Sequence, residues 1–597
     1  MPKKRRKKRA SAQPGPPPEP MPLPRPRTGP RLVIAAVVFM STLLLFFPTW
    51  KGPFVLDDLQ KIEANPDMRV PFSLRNFVYP YAENATDLRN DPSRPFTYMV
   101  YWLCWHAGSG SPLPFHVANT LLHGLAAALL ALLIAELVSS LFGERTDWAG
   151  GVGALLFLTS PLMAGTVAYV TGLSDILSGV LILASLLLLV RHRRPGARTI
   201  ALAGGLLILA LASKQSAIVL PALVAACDLG AGGWPEVKAR ARVYLPLILV
   251  AVAYLAAFGL YFGAVGDVEG RRGLHPAAFY ASMQGSVILS YFRMIFLPSG
   301  LTIDHLPVAS NTPLWLRFAA WTVVAVLSGL ALREVFRPGG QALRRLFGLG
   351  WLIFLVGLLP TSSFLPTVDL LVERRAYLAG MGIFLAVAAL WWRLGLGRRV
   401  RRGVMVAAAL VLVVVQGGMT WQRMRVYGSP EALWRESLDR NRMNRRALVN
   451  LGTYYSRVGR WDDAVGVFER VLAYAPGDGP VYSKLAYVYM QPSYAGRSNE
   501  KALEYQKKGL ELNPDNVFGF YNAAVLYLRL DRLADAEAAL QQAIRVNPHF
   551  ARAYGLLGEI ALRQDRRDEA IAHFQEALRL DPSDQAAAKR LRELAGR

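Results

Sequence analysis

Two carboxylates, Asp57 and Asp58, stand side by side directly after the first long apolar run of the chain, in FVLDDLQKIEANP (54–66). A pair in that place could be solvated loop charge. It could instead bind a hard divalent cation such as Mg²⁺ or Mn²⁺, or act as a general base toward a weak nucleophile. Other ionisable residues also sit at the ends of apolar runs. Arg94 precedes Pro95. His116, Asn119 and His123 open the second run. Asp175 lies in TGLSD, Lys214 in LASKQS, Asp304 and His305 in LTIDH, and Glu373, Arg374 and Arg375 in LVERRAYLAG. Each has a plain structural alternative: a loop charge, a Glu373–Arg374 ion pair, or a backbone-bonded helix histidine. No spaced ligand set accompanies the Asp pair. The two cysteines, Cys104 and Cys227, form no CxxC and suggest neither zinc nor a disulfide framework.

The elements that must position these residues are membrane helices. The chain has 597 residues, 53% hydrophobic and only 18% charged, which is a membrane composition. Its net charge of +25 sits largely in KKRRKKR near the start and in short Arg-rich loops between apolar runs. That is a positive-inside pattern rather than a nucleic-acid surface. Residues 1–30 are basic and Pro-rich, a disordered composition. Apolar runs of about 20 residues, enough to cross a hydrocarbon core of ~30 Å, occur near 32–50, 116–140, 148–169, 173–190, 199–213, 216–231, 243–263, 314–334, 346–360, 376–396 and 403–422. The stretch 281–298 is interrupted by Arg293, ends at Pro298 and reads as interfacial or re-entrant.

RHRRPGAR, EVKARAR, the Arg cluster 333–345 and GRRVRRG all become cytoplasmic, with the N-terminus, if these eleven runs cross. The same arithmetic places 51–115, 264–313, 361–375 and everything after 423 outside: periplasm or exterior in a bacterium, lumen in a eukaryote. The polar residues named above were not used to set this topology, yet they fall on that outer side. Asn84-Ala85-Thr86 fits an N-glycosylation acceptor, which matters only in a eukaryote.

From about residue 430 the composition turns soluble. Pro514, Pro548 and Pro582 are spaced by 34 residues, with Pro476 lying 38 before the first of them. Thirty-four is the tetratricopeptide (TPR) period of paired antiparallel helices. Leu451-Gly452, Tyr455, Trp461, Ala464 and Phe468 fit the inner positions of the first repeat, and Leu557-Gly558, Ala570, Phe574 and Ala577 those of the last. The organisation expected is therefore a tail (1–30), a transmembrane domain (31–425), a capping helix (430–442) and about four TPR repeats (443–590). The fold class is all-α, a polytopic membrane bundle followed by an α-solenoid.

Several stretches resemble one family. An outer-loop Asp-Asp after the first helix of a multi-span half resembles the GT-C glycosyltransferases. With a C-terminal TPR array, the chain is similar to the transmembrane-and-TPR protein O-mannosyltransferases. RPFTYMVYW (94–102), PFHVANTLLHGLAAALL (114–130), SPLMAGTVAYVTGLSDILSGV (160–180), LASKQSAIVLPAL (211–223), LPSGLTIDH (297–305) and FLPTVDLLVERRAYLAGMG (364–382) carry the likeness. Gln215 departs from it, since the family usually has Glu there.

The resemblance implies transfer of a mannose-like hexose from a polyprenyl-phosphate carrier to Ser or Thr hydroxyls of proteins on the non-cytoplasmic face. In that reading Asp57 is the base and Asp58 its alternative. Arg94, Lys214 and Arg374 meet the donor phosphate, and Glu373 orients Arg374. His116 and Asp175 hold sugar hydroxyls or shape the pocket, while Asp304 belongs to the same substrate-binding set. The TPR array binds the acceptor. Two other classes stay open: a non-enzymatic membrane-anchored TPR scaffold, and a transporter of a lipid-linked substrate, which would need polar residues near the bilayer midplane.

Overall fold

The computed structural model describes residues 28–78, 90–143, 146–265, 275–305, 312–337, 340–395, 399–581 and 584–596. The basic tail, Asn84-Ala85-Thr86 and Pro582 lie outside the described residues. Among the described residues every regular element is a helix.

All eleven expected apolar runs are helical. Among the described residues eight helices are long and apolar enough to cross a bilayer, or nine if one bent pair counts as a span. Helices Ala197–Ser213 and Ala342–Leu358 have only 17 residues each, so length and composition alone support fewer spans than eleven. The run 148–169 is not one rod. It forms Asp147–Thr159 and Pro161–Ala168, bent by 60°. Ser160 is extended at φ −64°, ψ 122°, because the Pro161 ring crowds a helical conformation at the residue before it. The interrupted stretch forms a 20-residue helix, Ala277–Phe296, outside the spanning set. Its Tyr280 and Tyr291 hydroxyls both donate to one connecting segment, at Thr361 O and Val372 O.

Helix Leu173–Arg191 is buried on nearly every side. Helices Ala241–Val265, Leu314–Phe336 and Arg399–Tyr427 instead turn Leu245, Leu249, Phe318 and Val414 outward. An apolar outer face around a packed interior suits a hydrocarbon solvent, where helices satisfy their own backbone. Close approach uses small residues: a Cβ at Gly350 would stand 2.5 Å from the Gly382 carbonyl oxygen on the neighbouring helix. The chain is a multi-pass helical membrane protein.

Beyond helix Arg399–Tyr427 comes Pro430–Arg440, capped by the Ser429 hydroxyl. Four antiparallel pairs follow: Arg445–Arg457 with Trp461–Tyr474, Gly479–Tyr489 with Asn499–Leu512, Val517–Arg529 with Leu533–Val546, and Ala551–Arg563 with Arg567–Leu580. Helix Gln585–Ala595 closes the stack. The sequence period reappears as packing: Cβ atoms at Gly452 and Gly558 would lie 2.6 and 2.7 Å from the rings of Phe468 and Phe574. Only glycine lets each helix close on its partner's aromatic ring.

Candidate active site

The site begins where the first span ends. Leu56 has φ +52°, the left-handed region. A branched residue there costs roughly 1–2 kcal/mol, so the turn must be held from elsewhere. Asp58 does part of this. Its Oδ2 accepts from Val55 N at 3.0 Å and its Oδ1 from Thr171 N at 2.9 Å. The side chain is fully buried and clasps the turn to the segment between the bent pair and the fourth apolar run. That segment, Val170–Gly172, is a tight 3₁₀ turn whose Gly172 leaves no room for a Cβ against Thr166 O.

The clasp leaves Asp57 on the open side, its side chain 38% exposed. A π-helical turn, Leu59–Glu63, follows, an irregularity often found at functional sites. It brings Lys61 Nζ within 2.9 Å of Asp57 Oδ2. The Tyr169 hydroxyl accepts from Asp57 N at 3.2 Å.

Asp57, Lys61, Asp91, Arg94, Tyr98 and Arg374 line one small cleft. Arg94 is presented by helix Pro95–Ala107, whose first residue is proline; a residue before proline is kept out of the helix. Its Nε lies 3.5 Å from Asp91 Oδ2 without a hydrogen bond. Arg374 sits over the Tyr169 ring at 5.7 Å. Among the described residues its guanidinium makes no hydrogen bond or ion pair. The cleft thus holds two part-exposed carboxylates, Asp57 and Asp91, the second paired with Arg94, and guanidinium groups that make no hydrogen bond.

The two aspartates differ electrostatically. Burial works to raise the Asp57 carboxyl, but the Lys61 and Arg374 charges outweigh it and hold it below the usual 3.8. Burial pushes Asp58 up to about 7, against the two amides that favour its charge. Lys214 is pulled down to about 8 by burial, opposed by the Asp175 carboxylate.

The structure does not bring the other expected residues into the cleft. Lys214 is not a free cation; its ammonium pairs with Asp175. His116 is buried with Nε2 3.1 Å from Gly52 O, tying the first span's exit to the second run. Glu373 does not touch Arg374. Its Oε2 pairs with Arg423 at 2.9 Å, and its Oε1 meets His305 Nε2 at 2.9 Å and Thr302 N at 2.6 Å. Arg423 continues to Glu436 at 3.0 Å. Asp304 accepts from Asn444 at 3.2 Å and pairs with Arg446 at 3.0 Å, both on the solenoid side. These carboxylates are consumed at the junction between membrane half and solenoid. Sequence reasoning missed Lys61, although its i+4 spacing from Asp57 was a usable signal. Tyr169 carried no signal, because only the tertiary fold brings it to the turn.

The pair does not fit a divalent cation. Both Asp58 oxygens face backbone N–H groups, and among the described residues no three His, Cys, Asp or Glu side chains gather.

Fold and cleft define a polytopic helical membrane protein with a polar site at the ends of its apolar helices and an attached TPR solenoid. Residues 416–596 match the family model described as cilia and flagella-associated protein 70 C-terminal domain. Over most of its length the chain is similar to the transmembrane-and-TPR protein O-mannosyl-transferases. It is 22% identical to a protein O-mannosyl-transferase of Caenorhabditis elegans, across 72% of this chain and 61% of that protein. It is 21% identical to protein O-mannosyl-transferase TMTC3 of Mus musculus, across 85% and 59%. The chain spans about three-fifths of the length of these relatives, 61% and 59%. Among solved structures, a thermophilic TPR protein of Thermus thermophilus is 24% identical with a TM-score of 0.25, covering 29% of this chain and 95% of that one. MamA is 22% identical with a TM-score of 0.24, covering 26% and 86%.

Proposed function

We propose that this chain is a membrane glycosyltransferase that moves a mannose-like hexose from a polyprenyl-phosphate carrier to Ser or Thr hydroxyls of proteins. The observation that carries this reading is the cleft: an accessible carboxylate, Asp57, beside guanidinium groups without hydrogen-bond partners. Relatives named protein O-mannosyl-transferases support the same reading.

The chemistry suits the groups. The acceptor hydroxyl is a poor nucleophile, and Asp57 takes its proton as its oxygen bonds to the sugar's anomeric carbon. The bond from that carbon to the carrier phosphate breaks, and the electron pair leaves on the phosphate. That anion needs positive charge rather than a proton. Arg374 and Arg94 offer bidentate donors for it, with Lys61 on the Asp57 side. The carrier's tail stays in the bilayer, so a site at helix ends is where the phosphate would lie. We place the N-terminus in the cytoplasm and the cleft and solenoid on the opposite face, from the basic loops. The solenoid would bind the acceptor chain.

The test is transfer of labelled hexose from polyprenyl phosphate to protein in sided vesicles, with and without chelator. Label on protein in the wild type, lost in Asp57→Asn and unaffected by chelator, is the expected result. Equal labelling by Asp57→Asn would remove Asp57 as the base. No labelling from any hexose donor, with acceptor supplied, would return the chain to the scaffold reading.

A further inference from the structure

The first TPR helix does more than begin a peptide-binding solenoid. Arg446 and Arg457 are 11 residues apart on helix Arg445–Arg457. Eleven residues are close to three helical turns, so the two side chains share a face about 16 Å apart. That face is turned to the outer loops of the membrane half. Arg457 Nη2 lies 2.9 Å from Glu63 Oε2, at the end of the π-turn that carries Lys61. Arg446 Nη1 reaches Asp304 at 3.0 Å and Asp369 at 2.8 Å.

Asp369 belongs to the loop that presents Arg374. Arg375 closes that loop on itself, donating to Asp369 O and to Thr367 Oγ1, each at 2.9 Å. Between the two arginines, Val449 shares one apolar cluster with Leu56 and Ile303. Leu56 is the left-handed residue directly before Asp57. One helix of the solenoid therefore meets the Asp57 turn, the Arg374 loop and the LTIDH loop. A strained turn such as that at Leu56 persists only where its surroundings hold it, and this helix is part of that support.

We propose that Arg446 and Arg457 are positioning residues for the transfer reaction, so that the first TPR helix is needed for turnover itself and not only for acceptor capture. This rests on the transferase reading above. The arginines touch neither sugar nor phosphate. They hold the carboxylate turn and the cation loop in register across the cleft mouth. The half-exposed Arg457–Glu63 pair contributes little to stability, whereas a displacement of about 1 Å at reacting groups can cost about a hundredfold in rate.

The experiment uses the full chain and a Ser-containing peptide of a few residues, too short to lie along the solenoid. Arg457→Glu, Glu63→Arg and the double exchange Arg457→Glu/Glu63→Arg are compared with Arg446→Met. Each single variant is expected to lower kcat about tenfold or more with KM for the peptide little changed. The double exchange is expected to regain most of the loss, which also shows that the singles had not merely misfolded. Amide exchange in residues 54–64 should quicken in the single variants and slow again in the double. Single variants that keep wild-type kcat on the short peptide, or a double exchange that restores nothing while all variants stay folded, would overturn the inference. A wild type that transfers nothing overturns the transferase reading instead, so the two failures are distinguishable.

Discussion

The cleft and the junction beside it are built from the same residue types and solve opposite problems. At the junction Glu373 has its two oxygens shared among Arg423, His305 and Thr302, and Asp304 is divided between Asn444 and Arg446. In the cleft Asp57 meets one ammonium and remains accessible, while Arg374 has only a ring face against it. Buried charge that serves structure is fully partnered. Charge that serves a ligand is left incomplete, and the ligand completes it. Position at the ends of apolar helices does not by itself separate the two. The adjacent pair shows this most sharply: Asp58 belongs with the junction and Asp57 with the cleft.

The largest test of that contrast is Asp57→Asn. It should lower transfer by about 10²–10⁴-fold, the usual contribution of a general base, with only the small loss of thermal stability, up to about 1 kcal/mol, expected of a part-exposed pair. Assay and melting curve together check this. Glu373→Gln should do the reverse. It leaves the buried Arg423 with Glu436 as its remaining counter-charge, so the loss should stay below the ~3–5 kcal/mol of a buried charge left with no partner. The unfolding midpoint in detergent should fall accordingly, and any activity lost should track the unfolded fraction. Were Glu373→Gln to lose rate without stability, the junction would have to be counted as part of the site.

A smaller loss of stability is expected for Asp58→Asn. The amide would turn a donor toward the N–H of Val55 or Thr171, leaving a buried donor unpaired at a cost of about 1–3 kcal/mol. The mildest test is pH. Asp57 titrates below the usual 3.8, so its stabilising contribution is present above about pH 4 and lost only as pH falls further. Transfer should then show no acid loss between about pH 5 and pH 8. Asp58 has the opposite sign: raised from 3.8 to about 7 in the folded state, its contribution is complete below about pH 4 and is lost as pH rises from there to about 7. An acid limb centred near 7 in the rate would transfer the base role to Asp58 and erase the distinction drawn here.

Much of this was legible in the chain. Hydrocarbon demands long apolar runs, and every run read from the sequence is helical, with 148–169 broken before Pro161. Paired helices demand small residues at a regular spacing, and the 34-residue period with Gly452, Phe468, Gly558 and Phe574 returns as repeated packing. Asp57, Arg94 and Arg374 could be named because ionisable residues beside membrane helices are costly and because of the family resemblance, and the structure brings those three into one cleft.

What the chain could not state by itself is which polar groups find partners. Glu373 lies next to Arg374 in sequence but bonds Arg423, 50 residues on; Asp304 bonds Arg446, 142 residues on. Two neighbouring aspartates look alike in one dimension. The backbone N–H of Thr171, 113 residues away, donates to one of them, making it a buried clasp and leaving the other facing the cleft. Local sequence determined the elements, because helix formation and apolar burial depend on residue type and spacing. Tertiary structure decided the roles, because a charge becomes structural or available only when the groups around it are in place.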